Sequence, residues 1–235
     1  MNPPFSQYTI TAEPEDLRAR FRIDVPEFYK KRYNAAPAQL LPVILAEQPE
    51  GLSFFYWGLF PGLNRNKTVS EKVITRRAED MLIKPLYRKI LGSHRCLIPA
   101  DGFYIWKPLT RKAMVPYRVT FPSMGLVSFS AIWEEFEDDL GVQQHTFSVI
   151  TVPAQGKSAE LYERMPLVLS PASEERWLDL RTSESEIRRI LEVTEIPPSD
   201  YYSVTPAIED TSKDSPLMIL PAPPADQFGN LTLFD

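Results

Sequence analysis

Cysteine, histidine and glycine are scarce in this 235-residue chain, which has one, two and nine of them, and each scarcity excludes a class of chemistry. With Cys96 alone, neither an intramolecular disulfide nor a cysteine-rich zinc site can form, and His94 and His145 are too few for a histidine-based metal centre. No apolar run approaches the ~20 residues that span a bilayer, and the first thirty residues lack a signal-peptide pattern. There is no internal repeat, no low-complexity block and no glycine-rich phosphate loop. These absences predict a cytoplasmic protein without membrane attachment, metal or cofactor.

What the chain has in excess is proline. Its 23 prolines are about twice average usage, which fits many short strands and loops better than a helical bundle. Net charge is −5, but residues 65–95 hold nine Lys/Arg against three acids. Such a basic segment on an acidic body suits either a polyanion groove or a solvated helix face.

Local signals mark the elements. Residues 13–21 read as a first helix with Thr11 as N-cap and Pro14 in its first turn. Residues 81–91 have Leu82, Leu86 and Ile90 at helical spacing, interrupted by Pro85. Ser170-Pro171 opens another helix, and Ser183 with Glu186 forms a capping box for the next. The centre is β-rich: "RCLIPADGFYIW", "PYRVTF", "LVSFSAIWEEF" and "HTFSVITV" are β-branched and aromatic, with turns short enough for antiparallel pairing. The first of these reads as strand, Asp-Gly turn and strand, displaying Ile105 between Tyr104 and Trp106. The acidic run at 134–139 reads as a solvated turn. The fold class is α+β, a single domain over 1–220 followed by an extended tail, 221–235.

Taken in order, "RYNAAP", "YWGLFPG", "VITRRAED", "RCLIPADGFYIW", "TFSVITVPA", "YERMPLVL" and "RWLD" closely resemble the SOS response-associated peptidase family over roughly residues 5–220. The resemblance implies a barrel-like, mainly antiparallel β core with peripheral helices, and processing of abasic sites in single-stranded DNA. It also implies a cysteine at the processed N-terminus that condenses with the sugar aldehyde to a thiazolidine, assisted by an Asn, a Glu and a His.

Carried over position by position, the resemblance sets Phe5 on the cysteine, Thr75 on the asparagine, Ile105 on the glutamate and Tyr162 on the histidine. None of the four supplies a group that titrates near neutral pH. The wedge tryptophan falls on Leu63. The expectation is therefore a family member without catalytic residues, at most a weak, non-covalent binder of single-stranded or abasic DNA, with Asn34, Leu63, Arg76, Arg77 and Arg164 at the nucleic acid. Two rivals stand beside it: residual amine-based lyase or peptidase-like chemistry from Lys72 or the Met1 amine, and a regulator with no DNA role. Each retained residue also has a structural reading. Arg77 can pair with Glu79, Arg164 can anchor a loop, Tyr162 can pack, and Cys96 can serve as a small core hydrophobe.

Overall fold

The computed structural model describes residues 5–58, 74–137, 141–192 and 196–232. In chain order the described elements are β1 (Tyr8–Ile10), α1 (Pro14–Phe21), β2 (Arg32–Ala35), β3 (Leu40–Leu45), β4 (Gln48–Trp57) and β5 (Thr75–Arg77). Next come α2 (Ala78–Ile83), α3 (Leu86–Ser93), β6 (Arg95–Ala100), β7 (Gly102–Pro108), β8 (Met114–Thr120), β9 (Val127–Glu137) and β10 (Gln143–Pro153). The chain continues with β11 (Arg164–Pro166), α4 (Pro171–Leu178), α5 (Glu184–Leu191) and β12 (Asp200–Ser203), with short 3-10 turns at Gly156–Glu160, Pro206–Glu209 and Pro216–Ile219.

Five strands close on themselves in the order β10-β4-β3-β6-β9, the ring being completed by β9 pairing back to β10. An odd number of strands cannot close with antiparallel steps alone, since orientation must return to its start. The exception is β4 with β10, which run parallel at Tyr56 and Trp57 against Thr146 and Phe147. Strands β5 and β11 extend the ring by pairing with the far end of β10.

A second, antiparallel sheet has the order β12-β8-β7-β1-β2. The chain passes from barrel to second sheet at Asp101, so 95–107 is not the hairpin its Asp-Gly suggests: β6 pairs β3 and β9, whereas β7 pairs β1 and β8. Gly102 is needed at this corner because a Cβ would stand 2.7 Å from Val119 O. Thr11 is not the cap of α1. Its N–H and hydroxyl donate to Asp101 Oδ2 at 2.6 and 2.5 Å, leaving Glu13 at the cap without a side-chain bond.

The alternation of β7 decides the packing. Phe103 and Ile105 join the main core with Phe5, Tyr8, Trp57 and Phe129, while Tyr104 and Trp106 join a second cluster with Val204, Ile208 and Met218. Both faces of β7 are covered. Pro85 separates α2 from α3, as expected of a residue that removes a backbone donor. Ser170 caps α4, and Ser183 with Glu186 makes the capping box of α5. The acidic run begins as strand: Glu134, Glu135 and Glu137 belong to β9, while Asp138 and Asp139 lie outside the described residues. Beyond 220 the chain is drawn onto the body, with Ala222 N–H on Ser203 O and Asp226 accepting from Phe228 and Asn230 N–H. No helix among the described residues is long and apolar enough to cross a membrane.

Candidate functional site

The N-terminal segment enters the core directly before β1. Phe5 is 2 % exposed, with its ring centroid 5.4 Å from Trp57, 5.8 Å from Phe103 and 5.9 Å from Phe129. Edge-to-face contacts of this kind add about 0.5–1.5 kcal/mol each beyond area burial. Register brings Ile105 to the same core, fully buried, because Tyr104 N–H donates to Gln7 O and turns the odd residues of β7 inward. Tyr162 packs half-buried against that core, and Thr75 opens β5 opposite Val149. Three of the four positions, Phe5, Ile105 and Tyr162, thus border one aromatic and aliphatic interior, and Thr75 lies on the barrel strand pairing. Tyr8 and Cys96 are fully buried here, and burial pushes both hydroxyl and thiol well above their ordinary ranges. A thiol in that state is a packing group, not a nucleophile.

The described residues stop at Gly58 and resume at Ile74, and these two ends lie together. Trp57 Nε1 donates to Ile74 O at 2.8 Å, and Gly58 adopts φ +74° where a Cβ would meet Ile74 Cγ2 at 2.7 Å. Leu63 and Lys72 fall between these ends, outside the described residues.

Directly after Ile74 comes a cluster of arginines. Strand β5 runs parallel to β10, setting Arg76 against Ile150 and Arg77 against Thr151. Arg76 donates from Nη2 to Glu134 at 3.1 Å and lies over the Tyr87 ring. Arg77 is exposed and makes no ion pair among the described residues. Its expected partner Glu79 instead takes a two-pronged bond from Arg164, 3.1 and 2.9 Å. Arg164 also donates to Thr151 Oγ1 and Thr151 O at 3.2 and 2.7 Å, so it anchors β11 to β10 and to the start of α2. Hydrogen bonding from Arg164, with Arg77 nearby, holds the Glu79 carboxyl below its usual range.

Asn34 sits elsewhere. It is 1 % exposed, accepts from Gln7 Nε2 at 2.6 Å and donates to Ile208 O, Asp210 O and Lys213 O. That amide fastens the 208–213 loop. A network that local pattern did not reveal surrounds the sheet corner: Arg118 donates to Asp101, Thr9 and the Tyr202 hydroxyl at 2.9, 3.0 and 2.8 Å. Its only sequence signal is polar residues inside otherwise apolar strands. Among the described residues, no three His, Cys, Asp or Glu side chains gather as a metal site would require.

The profile of the family described as SOS response associated peptidase (SRAP) matches residues 6–211. Abasic site processing protein YoqW of Bacillus subtilis is 31% identical over 218 residues, covering 91% of this chain and 97% of the relative. Abasic site processing protein YobE of the same organism is 33% identical over 184 residues, 77% of this chain and 84% of the relative. A crystal structure of a Bacteroides thetaiotaomicron protein superposes with a TM-score of 0.76 at 22% identity, covering 92% of this chain and 99% of the other.

Proposed function

The chain belongs to the SOS response associated peptidase family, and from that premise we propose that it binds abasic sites in single-stranded DNA without forming a covalent link. The observation that carries this reading is Phe5. The resemblance assigns the nucleophile to this position, and the side chain there is a phenyl ring enclosed by three others. A ring cannot attack an aldehyde, and Ile105 and Thr75 offer no group that exchanges a proton near neutral pH.

What remains suits phosphate. Arg77 is exposed at the end of β5 with Arg76 beside it, next to Ile74, whose carbonyl accepts from Trp57 Nε1. Arg164 acts here by occupying both carboxylate oxygens of Glu79, which leaves the exposed Arg77 guanidinium available to an anion. Each phosphate neutralised contributes to a salt-dependent affinity without reading sequence.

The test uses the full chain and a 20-nucleotide strand with a central abasic site, with thymidine in the control. Denaturing electrophoresis should show no retarded protein–DNA band. Fluorescence anisotropy should show binding that weakens with salt, and Arg77→Glu should reduce it about equally for both strands. A heat-stable band on abasic DNA would refute the non-covalent reading. Absence of any salt-dependent binding would refute the DNA reading.

A further inference from the structure

Away from the arginine cluster, a cleft of about 210 Å³ opens between the α2–α3 pair and α5. Its walls are aliphatic, Met81, Leu91 and Leu191 among them, and Ile83 stands 78 % exposed at its lip. Four cations line it against one carboxylate. Lys84, Arg88 and Arg188 form the rim, and Arg95 lies beneath.

Arg95 is an unusual floor. It is 1 % exposed, lies over the Trp177 ring, and among the described residues its guanidinium donates only to backbone carbonyls: Trp177 O at 2.6 Å, Asp179 O at 2.7 Å, Gly92 O at 3.3 Å and Leu91 O. A guanidinium has five N–H donors, so four acceptors leave one without a partner among the described residues. The rim cations do have partners, Arg88 with Glu184 and Lys84 with Asp80 at 3.1 Å each, and Arg188 with Glu192 at 3.8 Å and Leu82 O at 3.0 Å, but these ion pairs are about half exposed or more. Exposed pairs of this kind are worth only ~0–1 kcal/mol, so another carboxylate can replace them at little cost.

We propose that this cleft docks a peptide segment of a partner protein that combines acidic residues with a bulky apolar anchor. The cleft is smaller than the ~300 Å³ at which small-molecule pockets begin, which suits one or two anchoring side chains better than a cofactor. Among the described residues no aromatic ring lines it, whereas unpaired bases are held chiefly by stacking on such rings. An apolar anchor in a desolvated cleft, ringed by complementary charge, is the usual economy of a peptide interface.

The test is anisotropy of fluorescein-labelled Asp-Asp-Glu-X-Phe peptides, with X as Leu, Ile or Pro, against the full chain. At least one should bind saturably and weaken with salt. Affinity should fall by at least about tenfold in Arg88→Glu/Arg188→Glu and in Ile83→Asp, as expected for lost anchors and charges. All three changes lie at the surface, and thermal unfolding verifies that both variants remain folded. Asn and Gln in place of the peptide acids, or Ser-Ser in place of X-Phe, should each abolish binding. No saturable binding by any of the peptides, or binding unchanged in both variants, overturns the proposal. Loss of oligothymidylate binding in Arg88→Glu/Arg188→Glu with peptide competition would assign the rim to nucleic acid instead. Self-association lost in the same variant would assign the cleft to a second copy, and either result overturns the partner-peptide assignment.

Discussion

Replacing Ile105 by Glu restores the residue that the family resemblance expects, and its cost measures whether a polar site persists there. Ile105 has no exposed surface and lies in the same core as Phe5, Phe103 and Phe129. Removing the side chain from that interior forfeits about 1.5–3 kcal/mol of apolar burial. A protonated carboxyl without partners adds about 1–3 kcal/mol. A Glu titrating at ~4.3 when unfolded must also stay protonated in the folded core, at 1.36 kcal/mol per pH unit. At pH 7.5 this adds about 4 kcal/mol, so the total reaches roughly 7–10 kcal/mol, comparable with the whole stability of a typical domain. The sign is testable. The folded-state pKa of the introduced Glu is raised, so the protonation part of the cost is absent below pH ~4.3 and grows as pH rises towards the folded value. Urea or thermal unfolding of Ile105→Glu against wild type at pH 4.5 and 7.5 should show a gap that widens at the higher pH. Ile105→Gln should be destabilised equally at both, and Ile105→Val should lose only about 0.5–1.5 kcal/mol. If Ile105→Glu matches wild type within about 1 kcal/mol at pH 7.5, the position is hydrated, the site is not filled, and the reasoning from burial fails.

Arg95 ties the carbonyl ends of α3 and α4 together through Leu91, Gly92, Trp177 and Asp179. Arg95→Met leaves these carbonyls without their donors and should cost about 1–3 kcal/mol or more in chemical denaturation, with Arg95→Lys intermediate because an ammonium cannot reproduce the fork. For Glu79, whose carboxyl is held below its ordinary 4.5, the Arg164 bond contributes stability above that pH and loses it as pH falls through the folded value. Half exposure of Glu79 limits the effect to below about 1 kcal/mol, so the melting-temperature difference between wild type and Glu79→Gln should shrink below pH ~4. Cys96 is fully buried with its thiol pushed up. Mass spectrometry should find it unmodified by iodoacetamide in the native protein and fully alkylated in denaturant.

Where a property depends on neighbours in the chain, the sequence was sufficient. Ser170 before Pro171, Ser183 with Glu186 and the break at Pro85 each act within one helical turn, and the structure shows all three. The β-rich centre was legible for the same reason, because side-chain branching biases the backbone locally. The ordered motifs further carried the family and its barrel-like core.

Partner choice was settled only by tertiary structure, because it depends on groups that folding brings together from distant parts of the chain. Thr11 had the chemistry of a cap, yet a carboxylate 90 residues away holds it. Glu79 had Arg77 two residues off, yet β11 delivers Arg164, which reaches both carboxylate oxygens while bracing Thr151. Asn34 is polar and was expected at the nucleic acid, but three loop carbonyls and Gln7 fill its bonding capacity. The Asp-Gly corner, a hairpin by local pattern, divides its strands between two sheets because a five-stranded ring closes through β9 and β10 and leaves β7 to the second layer. Residue type thus determined what each group can bond, and only the closure of the barrel and its covering sheet determined which partner lies within reach.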